Sequence, residues 1–403
     1  MDNKKNGIPK LRFPGFTGAW EQRKFFDNIE KVIDFRGRTP KKLGMEWSAE
    51  GYTALSALNV KDGYIDFTAD VHYANQDLYD KWMAGNELYK GQVLFTTEAP
   101  MGNVAQVPDN RKYVLSQRTI AFNVDKTKVT NDFLAVLLRS QNVQHTLKSL
   151  ASGGTAQGVS QKSLSQLKVI LPINPKEQQE IGNFFNHFDS LIALHQRKLE
   201  HLQEQKKGLL QKMFPKNGEV VPEVRFPGFT DAWEQRKLGE VVERFDNLRI
   251  PVTSSKREKG ITPYYGANGI QDYVQGYTHD GEFVLVAEDG ANDLQNYPVH
   301  YVNGKVWVNN HAHVLQGKNK MVDNLFLVNA IKQIKIETYL VGGSRAKLNA
   351  DVMMKLPIKV PTFNEQQKIG EYFSKFDTLI ALHQRKLEHL ELMKKGLLQQ
   401  MFV

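Results

Sequence analysis

Two clusters of cationic side chains are the first groups in this sequence that could bind an anion. Both lie in stretches interrupted by Gly, Pro or Ser, as loops are. Guanidinium and ammonium groups in such loops contact phosphates and base edges in nucleic acids. A run of charges is as often a solvated surface, so we expect only some of these residues to bind. They are Arg36, Arg38, Lys41 and Lys42 in the first cluster, and Arg249, Lys256 and Arg257 in the second.

A second group has side chains suited to reading bases. Asn, Gln and Arg can each make two hydrogen bonds to a purine edge in the major groove. Such residues stand at the ends of strand-like segments, and the segment YYGANGI adds two tyrosines and an asparagine that could stack or pack on a duplex. Aromatic residues are more often core. The assigned residues are Gln117, Arg118, Asn309, Asn310, Tyr264, Tyr265 and Asn268.

Paired glycines follow a predicted helix in each half of the chain. Glycine lets the backbone approach a ligand closely, so these turns are assigned to contacts with a nucleic-acid backbone, although simple turns explain them equally well. The positions are Gly153 and Gly154 in the first half, and Gly342, Gly343 and the nearby Arg345 in the second.

Three histidines raise the separate possibility of a metal site. His311 and His313 are separated by one residue, a spacing that could ligate a metal if the stretch is a strand, and His300 is nearby. The sequence offers no credible carboxylate partner. We therefore predict no metal site and assign His311 to the DNA-contacting residues.

Motifs for catalysis are missing from the sequence. It contains no GxxxxGK, no GxGxxG and neither of the Asn-Pro-Pro-Tyr and Asp-Pro-Pro-Tyr motifs that hold a flipped base. With no cysteine, disulfides, thiol catalysis and thiolate-bound zinc are excluded. We predict no catalytic residue and no cofactor bound by this chain, so any chemistry would belong to its partners.

Length and charge limit the class of protein. The 403 residues suit two domains, and the formal charge of +9 with a pI near 9.3 suits a polyanionic partner. The start MDNKKNGIPK precedes no apolar segment, and no apolar run approaches the length of a membrane span. We expect a soluble, cytoplasmic protein without membrane contact.

An internal duplication dominates the sequence. LRFPGFTGAWEQRK at 11–24 returns at 224–237 with 12 of 14 residues identical, and the 38-residue segment 177–214 returns at 365–402 with 28 identical. Between these repeated flanks lie 152 residues (25–176) and 127 residues (238–364) that no longer resemble each other except near their ends. Alternating apolar segments such as VLFTT and VWVNN, with helical stretches at 131–150 and 323–340, predict a mixed α/β domain in each middle.

The second repeated segment predicts a long helix with a heptad seam. Apolar residues recur at alternating spacings of four and three, the period of a coiled coil. His195, Lys206 and their counterparts His383 and Lys394 are read as polar positions that fix register. The seam residues are Ile181, Phe185, Phe188, Ile192, His195, Leu199, Leu202, Lys206, Leu209 and Met213, and in the second copy Ile369, Phe373, Phe376, Ile380, His383, Leu387, Leu390, Lys394, Leu397 and Met401.

The order of the segments predicts how the helices run. Helix one leads from the first middle to the second and helix two leads out of the second, so a pair formed within the chain is antiparallel. We expect an α+β protein with two mixed α/β domains joined by two long antiparallel helices, related by a pseudo-twofold axis. The predicted boundaries are 1–172 for the first domain, 173–214 for helix one, 215–361 for the second domain and 362–403 for helix two.

This arrangement resembles the Type I restriction-modification specificity subunit over essentially the whole chain. The resemblance rests on the duplication, on the EQQxIGxxF…LIALHQRKLEHL…KKGLLQxMF helix that follows each middle, and on the openings FRGRTPKK and TPYYGANGI. It implies that each middle is a target-recognition domain for half of a bipartite double-stranded DNA sequence. The helices would be a conserved spacer that also docks partners.

The resemblance also implies the partners and their cofactors. Two modification (methyltransferase) subunits and two restriction (endonuclease and translocase) subunits would join this chain, bringing S-adenosylmethionine, ATP and magnesium. A coiled-coil adaptor that binds only proteins is the alternative, and it leaves the two divergent middles unexplained. Salt-dependent DNA binding by the assembled complex separates these two interpretations. The bases read do not follow from the sequence.

Overall fold

The computed structural model describes residues 7–153, 157–216, 218–342 and 346–402. The chain divides into two compact units, each built from both halves of the sequence. Unit 1 contains residues 1–196 and 385–403, and unit 2 contains residues 197–384. Each unit therefore holds one middle segment, the first part of one long helix and the last part of the other.

Unit 1 has a four-stranded sheet in the order β2-β8-β5-β6, a three-stranded sheet β4-β3-β7 and a pair β1-β9. The strands β5 and β8, with sequences VLFT and TIAFNV, are almost wholly buried because helices and the other sheet cover them. The strands are β1 (Glu21–Lys24), β2 (Ile29–Asp34), β3 (Tyr52–Leu55), β4 (Tyr73–Ala74), β5 (Val93–Thr96), β6 (Val104–Gln106), β7 (Val114–Leu115), β8 (Thr119–Val124) and β9 (Lys168–Leu171). The helices are α1 (Gln76–Met83), α2 (Asn131–Arg139), α3 (Gln141–Leu150), α4 (Gln161–Leu164) and α5 (Pro175–Met213).

Unit 2 has one six-stranded sheet in the order β11-β16-β14-β15-β12-β13 and a pair β10-β17. All its strand pairs are antiparallel except β12 with β15. The strands are β10 (Glu234–Lys237), β11 (Val242–Arg244), β12 (Lys259–Gly266), β13 (Gly269–Val274), β14 (His279–Ala287), β15 (Val299–Val308), β16 (Ala312–Gly317) and β17 (Pro357–Val360). The helices are α6 (Leu238–Val241), α7 (Asn324–Lys332), α8 (Ala350–Met353) and α9 (Phe363–Met401).

The predicted helical stretches inside the middles are shorter than expected. The stretch 131–150 forms α2 and α3, which are separated by the extended residue Ser140. The stretch 323–340 forms α7 and a 3₁₀ turn at Ile336–Tyr339. Side chains cap α2 and α7 in the same way, with Thr130 accepting from Phe133 N at 3.2 Å and Asp323 accepting from Phe326 N at 2.9 Å.

The repeated helices follow the predicted seam. α5 and α9 contain 39 residues each, which is about 58 Å at 1.5 Å per residue. All seam positions are buried or half-buried, whereas neighbouring apolar residues off the seam, such as Leu194, Leu382 and Leu392, are 39%, 39% and 69% exposed. The heptad spacing therefore identified the face that each helix buries.

The two helices pack against each other inside each unit. In unit 1 the ring of Phe402, after α9, lies 6.2 Å from Phe185 of α5, and Lys394 Nζ lies 2.6 Å from Asp189 Oδ1. Residue numbers rise along α5 as they fall along α9, so the packing is antiparallel, as predicted. In unit 2 the equivalent contacts join Phe214 to Phe373 at 6.4 Å and Lys206 Nζ to Asp377 Oδ1 at 2.5 Å.

Each copy of the repeated segment (11–24 and 224–237) is hydrogen-bonded to the first turn of a long helix. Arg12 donates to Glu177 from Nε at 2.6 Å and Nη2 at 2.8 Å, and Arg225 donates in the same way to Glu365 at 2.7 and 2.8 Å. Both carboxylates are buried. Leu11 N also donates to Gln400 O, as Val224 N does to Lys212 O, so each copy of RFPGF lies beside the end of the other copy's helix.

A glycine in each repeated helix allows a close approach to the α/β domain of its unit. A Cβ added at Gly182 would lie 2.6 Å from Asp132 Cβ, and one added at Gly370 would lie 2.7 Å from Asp323 Oδ1. Neither distance is compatible with a side chain, so α5 and α9 pack directly on the starts of α2 and α7. Among the described helices, none is both long and apolar enough to cross a membrane.

Candidate nucleic-acid interface

In each unit an exposed residue directly precedes one inner strand of the main sheet. It is Arg118 before β8 in unit 1 and His311 before β16 in unit 2. In unit 1, Thr97 N after β5 donates to Arg118 O at 2.7 Å, and in unit 2, Glu288 N after β14 donates to His311 O at 2.8 Å. Strand registers agree, because Thr96 pairs with Thr119 as Ala287 pairs with Ala312. Arg118 and His311 therefore occupy the same place in their sheets.

The glycine turns are attached to this same strand end. Ser152 and Gly158 exchange backbone hydrogen bonds of 3.0 and 2.9 Å, and Val341 and Lys347 exchange two of 2.9 Å; we call each of these a closing pair. The next residue donates to the sheet in both units, Val159 N to Thr97 O at 2.9 Å and Leu348 N to Glu288 O at 2.7 Å. Each closing pair thus lies beside Arg118 or His311.

Gly153 and Gly342 each follow the first residue of a closing pair. Their φ angles of 113° and 92° lie in the left-handed region, which favours glycine at both positions. Gly154, Gly343 and Arg345 lie outside the described residues.

An aspartate at or just after the first strand of each main sheet is hydrogen-bonded to other segments of its unit. In unit 1, Asp34 Oδ2 accepts from Arg36 Nε at 2.8 Å and from Gln161 Nε2 at 2.7 Å. In unit 2, Asp246 takes the equivalent place after β11 and accepts from Val314 N at 2.8 Å. Burial raises the pKa of each carboxyl, but these hydrogen bonds, with one from His313 to Asp246, outweigh it and leave both pKa values below the usual range.

In unit 2 this aspartate belongs to a five-residue ion cluster, Asp246, Arg249, Glu288, His313 and Lys347. His313 Nδ1 lies 2.7 Å from Asp246 Oδ2, and Glu288 accepts from Arg249 at 2.6 Å and from Lys347 at 2.8 Å. Burial raises the pKa of Glu288, yet the bonds from Lys347 and Arg249 hold it below its usual value. The two carboxylates stay ionised, and the cluster connects four segments of unit 2.

The same cluster corrects the view that His313 has no carboxylate nearby. One ligand atom each from Asp246, Glu288 and His313 lies within 4.8 Å of the others, a set that could hold a cation by distance alone. However, Arg249 and Lys347 already supply two positive charges, and both ring nitrogens of His313 have protein partners. We interpret the group as an internal ion cluster. His300 is not part of it.

In unit 1 some of the residues predicted to contact DNA are exposed, and others contact neighbouring groups of the protein. Arg38 is half-buried with its guanidinium 4.4 Å from the Phe35 ring centroid, and its carbonyl accepts from the Gln117 side chain. The φ angle of Arg118 is 66°, an uncommon conformation for a residue with a side chain. The exposed assigned residues are Arg36, Lys41, Lys42, Arg118 and Gly153.

In unit 2 several assigned residues are turned inward. Tyr264 is 1% exposed, with its hydroxyl bonded to Val252 and its ring covered by Arg257 at 4.1 Å, and Asn309 is 4% exposed and accepts from His311 N. Both side chains are buried and bonded within the domain, so neither is included in the surface proposed below to contact DNA. Arg249 is held by the ion cluster.

Two exposed assigned residues of unit 2, Asn268 and His311, are bonded to the loop that follows β14. Asn268 donates to Gly290 O at 2.9 Å, and His311 Nδ1 lies 2.5 Å from Asp289 Oδ1. Tyr265 is half-buried. The exposed residues are Lys256, Asn268, Asn310, His311 and Gly342.

The sequence did not reveal Asp246, Glu288 or Gln161. Asp246 lies 67 positions from His313, so no spacing rule connects them. The one available signal was the His-x-His pattern, in which alternation of faces does not distinguish the buried His313 from the exposed His311.

Comparisons with known proteins agree on one family. The chain matches the model described as the Type I restriction modification DNA specificity domain at residues 20–204 and 230–392, one match in each half of the duplication. A putative type I restriction enzyme specificity subunit of Haemophilus influenzae is 46% identical over 149 residues, which are 37% of this chain and 38% of that protein. A putative specificity subunit of Methanocaldococcus jannaschii is 25% identical over 98% of this chain and 95% of that protein.

A solved structure shows the same fold. The crystal structure of the Type I restriction-modification S subunit from M. genitalium aligns with a TM-score of 0.75 at 18% identity, covering 98% of this chain and 99% of that one. The family matches cover both target-recognition regions and most of both helices. The chain therefore belongs to the Type I restriction-modification specificity family, as the non-catalytic subunit that gives such a system its DNA specificity.

Proposed function

We propose that this chain reads an asymmetric, bipartite sequence in double-stranded DNA, unit 1 reading half-site 1 and unit 2 reading half-site 2. One observation carries the proposal. The ion pairs that join each copy of the repeated segment to the start of its long helix are duplicated residue for residue, while the sheets of the two units differ in strand number and in surface residues. A shared frame around two different readers suits two different half-sites.

Within each unit, the strand end beside the closing pair is the proposed reading surface. The side chains proposed to read bases are Gln117 and Arg118 in unit 1, and Asn310 and His311 in unit 2. Their hydrogen-bond donors and acceptors can pair with those on base edges. Arg36, Lys41 and Lys42, and Lys256 in unit 2, would contact phosphates and set the position on the duplex. Because equivalent places carry different side chains, the two half-sites should differ.

The helices are the proposed spacer. α5 and α9 each continue from one unit into the other without a break, so the number of unread base pairs between the half-sites should be fixed. The central stretch 191–202 of α5 is repeated without change at 379–390 of α9. The two copies would offer two equivalent docking surfaces to two modification subunits, with two restriction subunits added for cleavage. S-adenosylmethionine, ATP and magnesium would be bound by those partners.

An exchange of recognition domains tests this function. Residues 238–364 are replaced by the corresponding segment of a related subunit, and the methylated sequences are read from the genome of cells that express the chimaera with its modification subunits. One half-site should change and the other should stay. The matched control exchanges residues 25–176 and should change the opposite half-site. Changes in both half-sites from one exchange would show that the units are not independent readers.

A further inference from the structure

A buried histidine in unit 2 joins the sheet to the segment that follows the glycine turn. The side chain of His313 is 1% exposed. Its Nδ1 faces the ionised carboxylate of Asp246, and its Nε2 lies 2.8 Å from Leu348 O. Carboxylates and carbonyls can only accept, so both bonds form only when the imidazole ring carries both protons. The contact between sheet and turn therefore requires an imidazolium.

We propose that His313 is a positioning residue for DNA reading by unit 2, holding Leu348 and the second closing pair where they support Asn310 and His311 at the surface. This inference rests on the proposed function of unit 2. His313 itself is too deeply buried to touch DNA, and its effect would pass through the backbone.

The route from His313 to the surface is short and continuous. Leu348 N donates to Glu288 O at 2.7 Å. The preceding residue, Lys347, forms backbone β-bridges with Val341 and with Asp289. Asp289 in turn holds the exposed imidazole of His311 at 2.5 Å. A displacement of Leu348 would therefore reach the closing pair and the exposed His311 within two residues.

Unit 1 lacks this device and provides an internal control. The strand position equivalent to His313 is Ile120, since Phe95 pairs with Ile120 as Val286 pairs with His313. Asp34, the counterpart of Asp246, reaches the segment after its glycine turn through the neutral amide of Gln161. No histidine of the described part of unit 1 links its sheet to that segment, so only unit 2 should respond to the loss of a proton.

Loss of the ring proton should weaken reading of half-site 2. A neutral ring would place an unprotonated nitrogen against Asp246 or against Leu348 O, and that contact would be lost. The cations that remain in the cluster would keep the carboxylates ionised. The charged and titratable groups around His313 are Arg244, Asp246, Arg249, His279, Glu288 and Lys347.

The experiment measures binding by the complex of the full chain with its modification subunits. The probes are labelled duplexes that carry the methylated sequence found in the genome, with half-site 1 or half-site 2 altered. Discrimination is the ratio of dissociation constants for altered and unaltered DNA, measured from about pH 5 to about pH 9, around the range in which histidine titrates. The variants are His313→Gln and the double variant with Asp246→Asn, whose neutral side chains can bond to each other.

For the wild type, discrimination at half-site 2 should fall as pH rises. Discrimination at half-site 1 should stay constant, because a general effect of pH on DNA binding cancels in the ratio of dissociation constants. His313→Gln should lose about tenfold at half-site 2 at low pH, as expected for one buried charge-assisted hydrogen bond, and its pH profile should be shallower than that of the wild type. The double variant should recover part of that loss without regaining the pH dependence.

Several results would overturn the inference. One is a wild-type complex whose discrimination at half-site 2 depends on pH in the same way as its discrimination at half-site 1. This result would refute the inference even if His313→Gln does not fold. Another is full discrimination at half-site 2 by a folded His313→Gln complex. A wild-type complex that discriminates at neither half-site would instead contradict the proposed function. A profile restored by added Zn²⁺ or removed by EDTA would mean that the cluster binds a metal.

Discussion

Removal of the Asp189 carboxylate should destabilise unit 1 far more than removal of its counterpart Asp377 destabilises unit 2. Asp189 accepts from Arg139 Nη1 of the recognition domain at 2.7 Å and from Lys394 Nζ of α9 at 2.6 Å. The side chains of these three residues are 19%, 3% and 13% exposed. Asp189→Ala would leave two buried cations facing each other without a shared anion, on the surface where the domain, α5 and α9 meet.

The matched variant differs in exposure and in chemistry. Asp377 pairs with Lys206 at 2.5 Å, but its side chain is 53% exposed. The counterpart of Arg139 is Lys332, whose pKa is lowered by burial and by the nearby Lys206, against an opposing effect of Asp377. A lysine can lose its proton when its anion is removed, whereas an arginine cannot.

The magnitudes follow from these differences. Breaking a buried ion pair by removing one partner costs about 4 kcal/mol, whereas an exposed pair contributes about 1 kcal/mol or less. At roughly 3 °C per kcal/mol, Asp189→Ala should lower the melting temperature of the chain by about 12 °C and Asp377→Ala by about 3 °C.

Urea denaturation of both variants gives the free energies of unfolding, and hydrogen exchange of the α2 and α7 amides shows which unit is loosened. In the assembled complex, Asp189→Ala should also reduce discrimination at half-site 1. Equal losses from the two variants, or a loss below about 1 kcal/mol for Asp189→Ala, would refute the reasoning that burial decides the strength of the pair.

Four further predictions concern packing, the frame, the reading surface and the spacer. Gly182→Ala should cost about 2 kcal/mol in urea denaturation because its Cβ would overlap Asp132, whereas Gly208→Ala in the same helix, with open space around it, should stabilise by about 0.5 to 1 kcal/mol. Glu177→Gln should cost about 2 kcal/mol because it removes the charge that binds Arg12, with Glu180→Gln, on the exposed face, near zero. Asn310→Ala should weaken discrimination at half-site 2 by about 1 to 3 kcal/mol, while Tyr264→Phe should lower stability and leave discrimination unchanged; a loss of base discrimination from Tyr264→Phe would contradict its placement in the core. One heptad inserted at facing points of α5 and α9 adds about 10 Å, equal to about three base pairs, so methylation mapping should show a longer spacer or weakened modification with the same half-site bases. An unchanged spacer with full activity would show that the helices do not set the distance.

Much of the frame could be predicted because its information is local. The duplication and the heptad seam are patterns within contiguous stretches, and a period of 3.5 residues identifies the buried face of a helix without knowledge of its partner. The antiparallel pairing followed from the order of the segments alone. The family resemblance rests on the same stretches, so it too was available before the fold.

The proposed reading surface was only partly predictable from the sequence. Arg118 and Asn310 were predicted to lie at strand ends, and His311 was assigned to the DNA-contacting residues without such a placement. The structure places Arg118 and His311 at equivalent positions beside the closing pairs. The sequence could not separate them from Tyr264 and Asn309, which have similar neighbours and equally suitable side chains. Burial depends on which strands and loops cover a residue, and the type of a polar residue does not show whether it is buried.

The sequence by itself thus determined that the chain is a duplicated frame around two different α/β domains, because repeats and periodicities are written in neighbouring residues. Tertiary structure alone decided which charges meet. Asp246 reaches His313 across 67 positions and Arg139 reaches Asp189 across 50. Such pairs form only after sheet order and helix packing bring distant segments together, and in the buried interior the carboxylate that arrives then decides whether a cation is held or left without a partner.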